Sequence, residues 1–261
     1  MNYETLTLDT TQNTTVTVRL NRPEVHNAMS EQLMKELMHC FHTLSKKDDV
    51  RIIVLTGVGK SFCAGADLNW MKSMVHYSKD ENIKDSNLLL ELYQTIYQCP
   101  KPVIGRINGH AFGGGIGLIA VCDIAIGIPN CTFAFSEVNL GIIPSVISNF
   151  VAPRLSPAVM RRLFITGVRF TSAYAQQIGL LDTVVSPEEL DTSISDFVKE
   201  LERSGPQAIQ EVKHLLFNLR TLPLDQFTRY TVEKIAELRI SPEGQEGITA
   251  FLEKRPPKWR V

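Results

Sequence analysis

Three short and almost wholly apolar runs constrain the fold of this chain more than any other feature of its sequence. A strand carries such a run when both of its faces are buried, as in a parallel sheet. Helical stretches at about 81–98 and 113–122 separate the runs, so strands and helices alternate along the chain. The sequence therefore predicts an α/β fold, with the runs 51–56, 102–107 and 123–128 as strands of a parallel sheet.

The segments before the first run predict a hairpin and a helix. Residues 3–9 and 14–20 alternate polar and apolar side chains, which is typical of two half-buried strands. Ser30 is a favourable N-terminal cap, and the apolar residues after it recur at helical spacing. This apolar stripe consists of Leu33, Met34, Leu37, Met38, Phe41 and Leu44.

From Pro144 onward the pattern is mostly helical. Ser156-Pro157 is a cap followed by a first-turn proline, and only 182–185 predicts a further strand. The last segments are amphipathic and too small to fold alone, so we expect them to pack on the core or on another subunit. They are the predicted helices 206–219, 224–239 and 242–253.

The charge balance and the absence of long apolar runs argue against nucleic-acid-binding and membrane-spanning proteins. With 27 Lys and Arg against 28 Asp and Glu, the formal net charge is −1, so no basic field attracts nucleic acid or an acidic membrane. No run approaches the roughly 18 apolar residues that a membrane span requires. The first residues lack the features of a signal or transit peptide, so a cytoplasmic location is expected.

Cysteine and histidine spacing predicts neither disulfides nor a metal site. The five cysteines are scattered and form no C-x-x-C pair, which indicates reduced thiols. His39 and His42 lie three residues apart with no partner ligands nearby. The cysteines are Cys40, Cys63, Cys99, Cys122 and Cys131.

Two loops of small residues, 61–68 and 109–115, are the first candidates for chemistry. Each follows a predicted strand and precedes a helix, so its backbone N–H groups are left unpaired and point outward. Two such loops after neighbouring strands can aim their donors at one oxygen, which makes an oxyanion hole. The alternative is that the glycines only permit tight turns.

Two other kinds of site fit the residues less well. The segment 115–120 matches G-x-G-x-x-A, and Glu137 lies 20 residues beyond Gly117, as in dinucleotide-binding folds. The acidic residue does not end the next strand, however, because a further short strand at 132–135 intervenes. A serine hydrolase is disfavoured because there is no G-x-S-x-G motif and neither Ser61 nor Ser136 has a histidine at a suggestive position.

At these same residues the sequence resembles the crotonase superfamily of enoyl-CoA hydratases and isomerases. The resemblance covers essentially the whole chain, and its motifs occur in order along it. They include Phe62-Cys63-Ala64-Gly65-Ala66-Asp67-Leu68 and Gly113-Gly114-Gly115. The other matching segments are 20–29, 108–112, 122–126, 135–144, 175–181 and 246–257.

This resemblance implies a fold and an assembly. The fold is an α/β core of repeated ββα units with a helical C-terminal region. Residues 1–200 are expected to form the core with the acyl-CoA site, and 201–261 the helical region for trimerisation. The protein is expected to associate as a homotrimer or hexamer and to act on an acyl-CoA thioester. No separate cofactor or metal is implied, because coenzyme A is part of the substrate.

The resemblance also assigns residue roles. The N–H groups of Ala66 and Gly114 match the oxyanion-hole donors, and Glu137 matches one of the two catalytic glutamates of the hydratases. The substrate site is expected to include Ala66, Asp67, Leu68, Asn69 and Gly114. Asp67 is also a good cap for a helix beginning at Leu68.

The chain departs from the hydratase pattern at Gly117, where the second glutamate is missing. The segments 65–71 and 140–148 nevertheless look like the bacterial branch linked to 3-methylglutaconyl-CoA hydration in leucine breakdown, which commonly has glycine there. We therefore expect hydration of a branched or glutaconyl-type enoyl-CoA, with Gly117 leaving a pocket open beside the acyl chain. A Δ3,Δ2-enoyl-CoA isomerase using Glu137 alone and an RNA-binding homologue are the alternatives.

Overall fold

The structure is a computed structural model that describes residues 2–12 and 14–260. Its larger sheet has the strand order β1-β2-β3-β5-β7-β10. The β1–β2 hairpin is antiparallel and every later pair is parallel. These strands are β1 (Leu6–Gln12), β2 (Thr15–Leu20), β3 (Ile52–Gly57), β5 (Val103–Ile107), β7 (Ile124–Gly127) and β10 (Thr183–Val184).

A second, smaller sheet is built from very short strands in the order β4-β6-β8-β9. Three successive repeats each give a longer strand to the larger sheet and a three-residue strand to the smaller one, followed by helical structure. The predicted ββα organisation is therefore confirmed. The strands of the smaller sheet are β4 (Ser61–Cys63), β6 (His110–Phe112), β8 (Thr132–Ala134) and β9 (Phe170–Thr171).

Helices cover the sheets and continue to the end of the described chain. They are α1 (Glu31–Ser45), α2 (Leu68–Met74), α3 (Lys79–Tyr97), α4 (Gly114–Ala120), α5 (Ser145–Val151), α6 (Pro157–Thr166), α7 (Ser172–Gln177), α8 (Leu190–Glu202), α9 (Pro206–Thr221), α10 (Leu224–Ile240) and α11 (Pro242–Leu252). The predicted cap is present, since Ser30 Oγ accepts a hydrogen bond from the Leu33 N–H at 3.2 Å. Within residues 2–12 and 14–260, no helix is long and apolar enough to cross a bilayer.

Two sequence expectations about strands are wrong. Residues 61–63 and 110–112 were expected to be loop, but they pair with each other as β4 and β6. The expectation that 182–185 is the only strand after Pro144 fails as well, because β9 pairs antiparallel with β8. These strands have only two or three residues, too few to show a period-two pattern, so the sequence did not indicate them. The equally short β8 was expected, at 132–135, and is present.

The apolar runs are buried on both faces, as the sequence predicts, because α8 covers one face of the larger sheet. In β3, Ile53 and Leu55 pack into the main core, whereas Ile52 and Val54 belong to a separate layer. That layer also contains Ile104, Ile126, Leu190, Ile194 and Val198. Because both faces of β3 are covered, nearly all of its side chains must be apolar.

The C-terminal helices pack differently from the rest. No residue of α9 or α10 is buried, and α11 buries only Ala250. Polar contacts tie this segment to the core: Lys213 Nζ lies 2.6 Å from Asp123 Oδ2, and the Arg51 guanidinium donates to the Trp259 carbonyl at 2.9 Å.

Candidate active site

The two small-residue loops leave the same edge of the smaller sheet, because β4 and β6 are parallel neighbours. They approach each other so closely that only glycine fits at Gly65, which has a φ of +90°. A methyl group there would lie 2.8 Å from the Phe112 carbonyl oxygen and 3.9 Å from the Gly114 nitrogen. The sheet pairing therefore brings the two predicted donor loops into contact.

The N–H groups of Ala66 and Gly114 are free donors. Across residues 2–12 and 14–260, no protein group accepts a hydrogen bond from either one. Gly114 is the first residue of α4, a position whose N–H has no partner within a helix. Both residues are half-buried, so neither N–H is sealed inside the core.

The neighbours of Ala66 explain the direction of its N–H. Met29 pairs with Ala66 in a parallel bridge. The Met29 N–H donates to the Gly65 carbonyl at 2.7 Å, and the Asp67 N–H donates to the Met29 carbonyl at 2.9 Å. Both hydrogen bonds of this parallel bridge use the residues on either side of Ala66. The N–H and carbonyl of Ala66 itself therefore face away from Met29.

Asp67 holds the first loop in place. Its carboxylate caps α2 by accepting from the Asn69 N–H at 2.7 Å and accepts from Arg22 Nη2 at 2.8 Å. Burial alone would raise the pKa of Asp67, but the Arg22 guanidinium and the N–H donors outweigh it and lower the pKa. Leu68 and Asn69, the other residues expected to bind substrate, are exposed at the start of α2.

Glu137 lies against the second loop. It begins a 3-10 turn, Glu137–Leu140, just after β8. A methyl group on Gly113 would lie 3.1 Å from Glu137 Oε1, so this carboxylate directly neighbours the residue before Gly114. Glu137 Oε2 is buried and, among the described residues, has no hydrogen-bond partner. Burial raises the pKa of Glu137.

A buried carboxylate oxygen without a partner is costly to keep, and such groups are concentrated at functional sites. Here the carboxylate lies next to Gly113, and the N–H groups of Ala66 and Gly114 in the two adjoining loops are also without partners. Together these groups can stabilise negative charge on an oxygen while a carboxylate takes or gives a proton nearby. The structure thus brings together Ala66, Gly114 and Glu137, three residues that are far apart in sequence.

The expectation that Gly117 leaves an open pocket is wrong. Gly117 is buried in α4, and a methyl group on it would lie 2.7 Å from Tyr93 Cζ, from the Tyr93 hydroxyl and from Ile147 Cγ2. The tyrosine ring from α3 fills the space instead. Sequence reasoning missed Tyr93 because it sits beside Leu92 and Ile96 on the buried side of α3, where an aromatic residue signals only core packing.

Ser61 has a histidine neighbour in the structure, although none lies at a suggestive position in the sequence. His26 Nδ1 lies 3.0 Å from Ser61 Oγ, across a separation of 35 residues that no local motif reveals. Ser61 is buried at the start of β4, however, and the free N–H donors follow the other end of that strand. This pair is therefore not arranged as a nucleophile beside the donors.

The predicted state of the cysteines is confirmed, since all five are free and buried. Within the described ranges 2–12 and 14–260, no group of three or more His, Cys, Asp or Glu side chains lies close enough together to hold a metal ion.

Comparisons with known proteins give a consistent picture. Residues 10–261 match the family model for enoyl-CoA hydratase/isomerase. A crystal structure of an enoyl-CoA hydratase from Shewanella pealeana superposes with a TM-score of 0.94 at 35% identity, covering 99% of this chain and 97% of that one.

Two curated relatives carry different activities in their names. The enoyl-CoA hydratase AKT6-1 of Alternaria alternata is 35% identical over 246 residues, which is 91% of this chain and 78% of that protein. The peroxisomal Δ(3,5)-Δ(2,4)-dienoyl-CoA isomerase of Arabidopsis thaliana is 30% identical over 251 residues, 92% of this chain and 90% of that protein.

Proposed function

The chain belongs to the enoyl-CoA hydratase/isomerase family, and we propose that it adds water across the double bond of an enoyl-CoA thioester. One observation carries this proposal: the N–H groups of Ala66 and Gly114, in adjoining loops, are unpartnered, and the buried, unpartnered Oε2 of Glu137 belongs to a carboxylate next to Gly113. Hydration needs a site for enolate charge and a group that moves protons, and these residues supply both.

In this mechanism the thioester carbonyl oxygen accepts hydrogen bonds from Ala66 and Gly114. Attack at Cβ moves electrons through the double bond onto that oxygen, so both donors bind the developing enolate more tightly than the substrate carbonyl. Loss of one such donor costs roughly 3 kcal/mol of transition-state stabilisation in other enzymes. The two N–H groups therefore supply the main electrostatic stabilisation.

Glu137 performs both proton transfers. Its carboxylate takes a proton from water as the water oxygen bonds to Cβ. The carboxylic acid so formed then returns that proton to Cα as the enolate collapses to the thioester. Burial raises the pKa of Glu137, and a higher pKa makes the carboxylate a stronger base and brings it closer to the pH at which proton exchange is efficient.

We propose a branched or glutaconyl-type acyl group, as in 3-methylglutaconyl-CoA. The likeness of segments 65–71 and 140–148 to the branch that uses this substrate supports the choice. The turn that begins at Glu137 also presents Leu140, Ile142 and Ile143 as exposed apolar side chains. They offer a surface for the acyl chain close to the proposed base. The filled space at Gly117 gives no support to this choice.

Isomerisation of the double bond is the second candidate function. It is favoured by the single carboxylate, since one group can take a proton from the α-carbon and return it to the γ-carbon. The same donors would stabilise the dienolate formed between these steps.

We further propose that residues 1–200 form the catalytic core and that 201–261 mediate assembly as a trimer or hexamer. The apolar side chains of α9, α10 and α11 support this division, because many of them are exposed to solvent in a single chain. Coenzyme A enters only as part of the substrate in this proposal.

The test is incubation with a panel of linear, branched and glutaconyl-type enoyl-CoA thioesters. Loss of absorbance from the conjugated double bond of a 2-enoyl thioester measures hydration, and a gain of this absorbance from a 3-enoyl thioester measures isomerisation. The product mass separates the two, because only hydration adds one water. We expect added water, fastest with a branched or glutaconyl-type substrate, and none with Glu137→Gln. Products of unchanged mass would establish the isomerase instead, and a panel that is not consumed would contradict both.

A further inference from the structure

Tyr93 fills the space beside Gly117 and also contacts Gly114, one of the two proposed oxyanion donors. Its side chain is fully buried, and its ring packs 5.6 Å from the ring of Phe150. The Tyr93 hydroxyl donates to the Gly114 carbonyl at 2.8 Å and lies 3.9 Å from Met29 Sδ. Tyr93 therefore contacts both the residue that carries one donor and the methionine that pairs with the loop carrying the other.

The first turn of α4 needs such support. Gly113 has a φ of +49°, and Gly114, Gly115 and Gly117 follow within one turn. Glycine has more backbone freedom than any other residue and weakens helices. Within the turn, the Gly113 carbonyl accepts from the N–H groups of Ile116 at 2.9 Å and Gly117 at 3.4 Å. The Tyr93 hydrogen bond anchors this turn from outside the helix.

Gly117 is part of the same arrangement. Because a methyl group there would lie only 2.7 Å from the Tyr93 ring and hydroxyl, the ring reaches Gly114 only when residue 117 has no side chain. Glycine at position 117 thus has two effects: the second glutamate of the hydratase pattern is missing, and there is room for the Tyr93 ring.

We propose that Tyr93 is a positioning residue, whose hydroxyl holds Gly114 so that its N–H points at the thioester oxygen during the reaction. This inference rests on the proposed function. Tyr93 does not act as a second acid, because its proton is committed to the Gly114 carbonyl. Burial above all, and then the charges of Cys63 and Glu137, keep its pKa well above the ordinary value, so the hydroxyl stays protonated.

The test compares Tyr93→Phe with Tyr97→Phe. Both tyrosines lie on α3 and pack against Phe150, but the Tyr97 hydroxyl accepts from Arg220 Nη1 at 3.1 Å and lies away from Gly114. We expect Tyr93→Phe to lower kcat about tenfold with KM within about twofold, as for an interaction used in the transition state. Tyr97→Phe should leave both constants unchanged.

A second readout separates positioning from general stability. A 3-ketoacyl-CoA forms an enolate that absorbs in the near ultraviolet, so the fraction of bound ligand present as enolate reports on the donors directly. We expect Tyr93→Phe to lower the bound enolate-to-keto ratio about tenfold and Tyr97→Phe to leave it unchanged. If the wild type stabilises this enolate but consumes no enoyl-CoA, the proposed function fails while the role of Tyr93 is still measured.

Equal kcat and equal enolate ratio in the two phenylalanine variants would overturn the proposal. If Tyr93→Phe does not fold, Gly117→Ala provides the same test, because its methyl group displaces the tyrosine without removing the hydroxyl. Full activity and a wild-type enolate ratio in a folded Gly117→Ala protein would then show that the position of Tyr93 is irrelevant.

Discussion

Helix α4 and helix α10 are stabilised in opposite ways. In α4, six of the seven residues are buried, although three of the seven are glycines that disfavour helix. In α10, none of the 17 residues is buried, and the sequence is rich in good helix formers such as Leu, Glu, Lys and Arg. Burial in the core therefore holds α4 in shape, whereas α10 combines favourable local preferences with contacts to its neighbours α9 and α11.

In our proposals this difference distinguishes the region that performs the chemistry from the region that mediates assembly. The catalytic proposal depends on α4, where small changes in packing move a backbone donor. The C-terminal helices instead present apolar side chains that one chain leaves exposed, including Leu224, Ile240 and Phe251. Matched substitutions in the two regions test whether the division is real.

The largest effect is expected for Gly114→Pro. Proline suits the first position of a helix, so the change removes the donor N–H with limited damage to the backbone. The new side chain meets Met29 Cε, the flexible end of a methionine, and its Cβ lies 2.9 Å from the Tyr93 hydroxyl, so both side chains must shift. We expect kcat for enoyl-CoA to fall by roughly two to three orders of magnitude.

Leu224→Pro is the matched control, since Leu224 is the first residue of α10 and follows a proline whose backbone is already extended. It should leave turnover unchanged. Turnover of a folded Gly114→Pro protein within about threefold of wild type would falsify the two-loop oxyanion hypothesis, given the usual size of donor loss.

Glu137→Gln should have the next largest effect. The amide keeps the size of the side chain but cannot act as a base, so kcat should fall at least about 100-fold with little change in KM. Steady-state kinetics with the best substrate measures this. The exposed Glu233 of α10 provides the control, Glu233→Gln, which should behave as wild type. Equal kinetics in the two variants would remove Glu137 from the mechanism.

Leu118→Ala and Leu224→Ala make the same deletion in the two helices. Leu118 is 0% exposed and Leu224 is 81% exposed. We expect Leu118→Ala to lower the free energy of unfolding by about 2–5 kcal/mol. Leu224→Ala should change it by no more than about 0.5 kcal/mol in dissociated chains. Denaturant melts at low protein concentration measure both values.

At higher concentration the intact protein should sediment as a trimer or hexamer, and Leu224→Ala should weaken that association. The resulting change in apparent stability would depend on protein concentration, because assembly stabilises by mass action. A single-chain mass at micromolar concentration would break the assignment of the C-terminal helices to assembly.

The smallest effect concerns pH. Burial raises the pKa of Glu137, and the base must be ionised. The fall of kcat/KM on the acid side should therefore occur above the ordinary glutamate range near 4.3. Asp67 has a lowered pKa, so its contribution to loop stability is present above the ordinary pKa and is lost only as pH falls through the lower one. A single acid transition shared by activity and unfolding would contradict this separation.

Sequence alone predicted the parts of this structure that follow local rules. The apolar run of β3 and the cap at Ser30 depend on residues that are neighbours in sequence, so the sequence pattern is enough to predict them. Ala66, Gly114 and Glu137 were predicted from a resemblance, and the sheet then places them together. The contacts of Tyr93 with Gly117 and of His26 with Ser61 were not predictable, because each joins residues that only the folded chain makes neighbours.

The division of each ββα unit between two sheets affects where this protein tolerates substitutions, insertions and deletions during evolution. The longer strands β3, β5 and β7 have covered faces, so nearly every substitution in them disturbs packing. The short strands β4, β6 and β8 end at loops that form the candidate site, and outside the close contact at Gly65 a loop can gain or lose residues at modest entropic cost. We therefore expect variation to concentrate in the outer parts of these loops, where it changes the candidate site without disturbing the packed sheet.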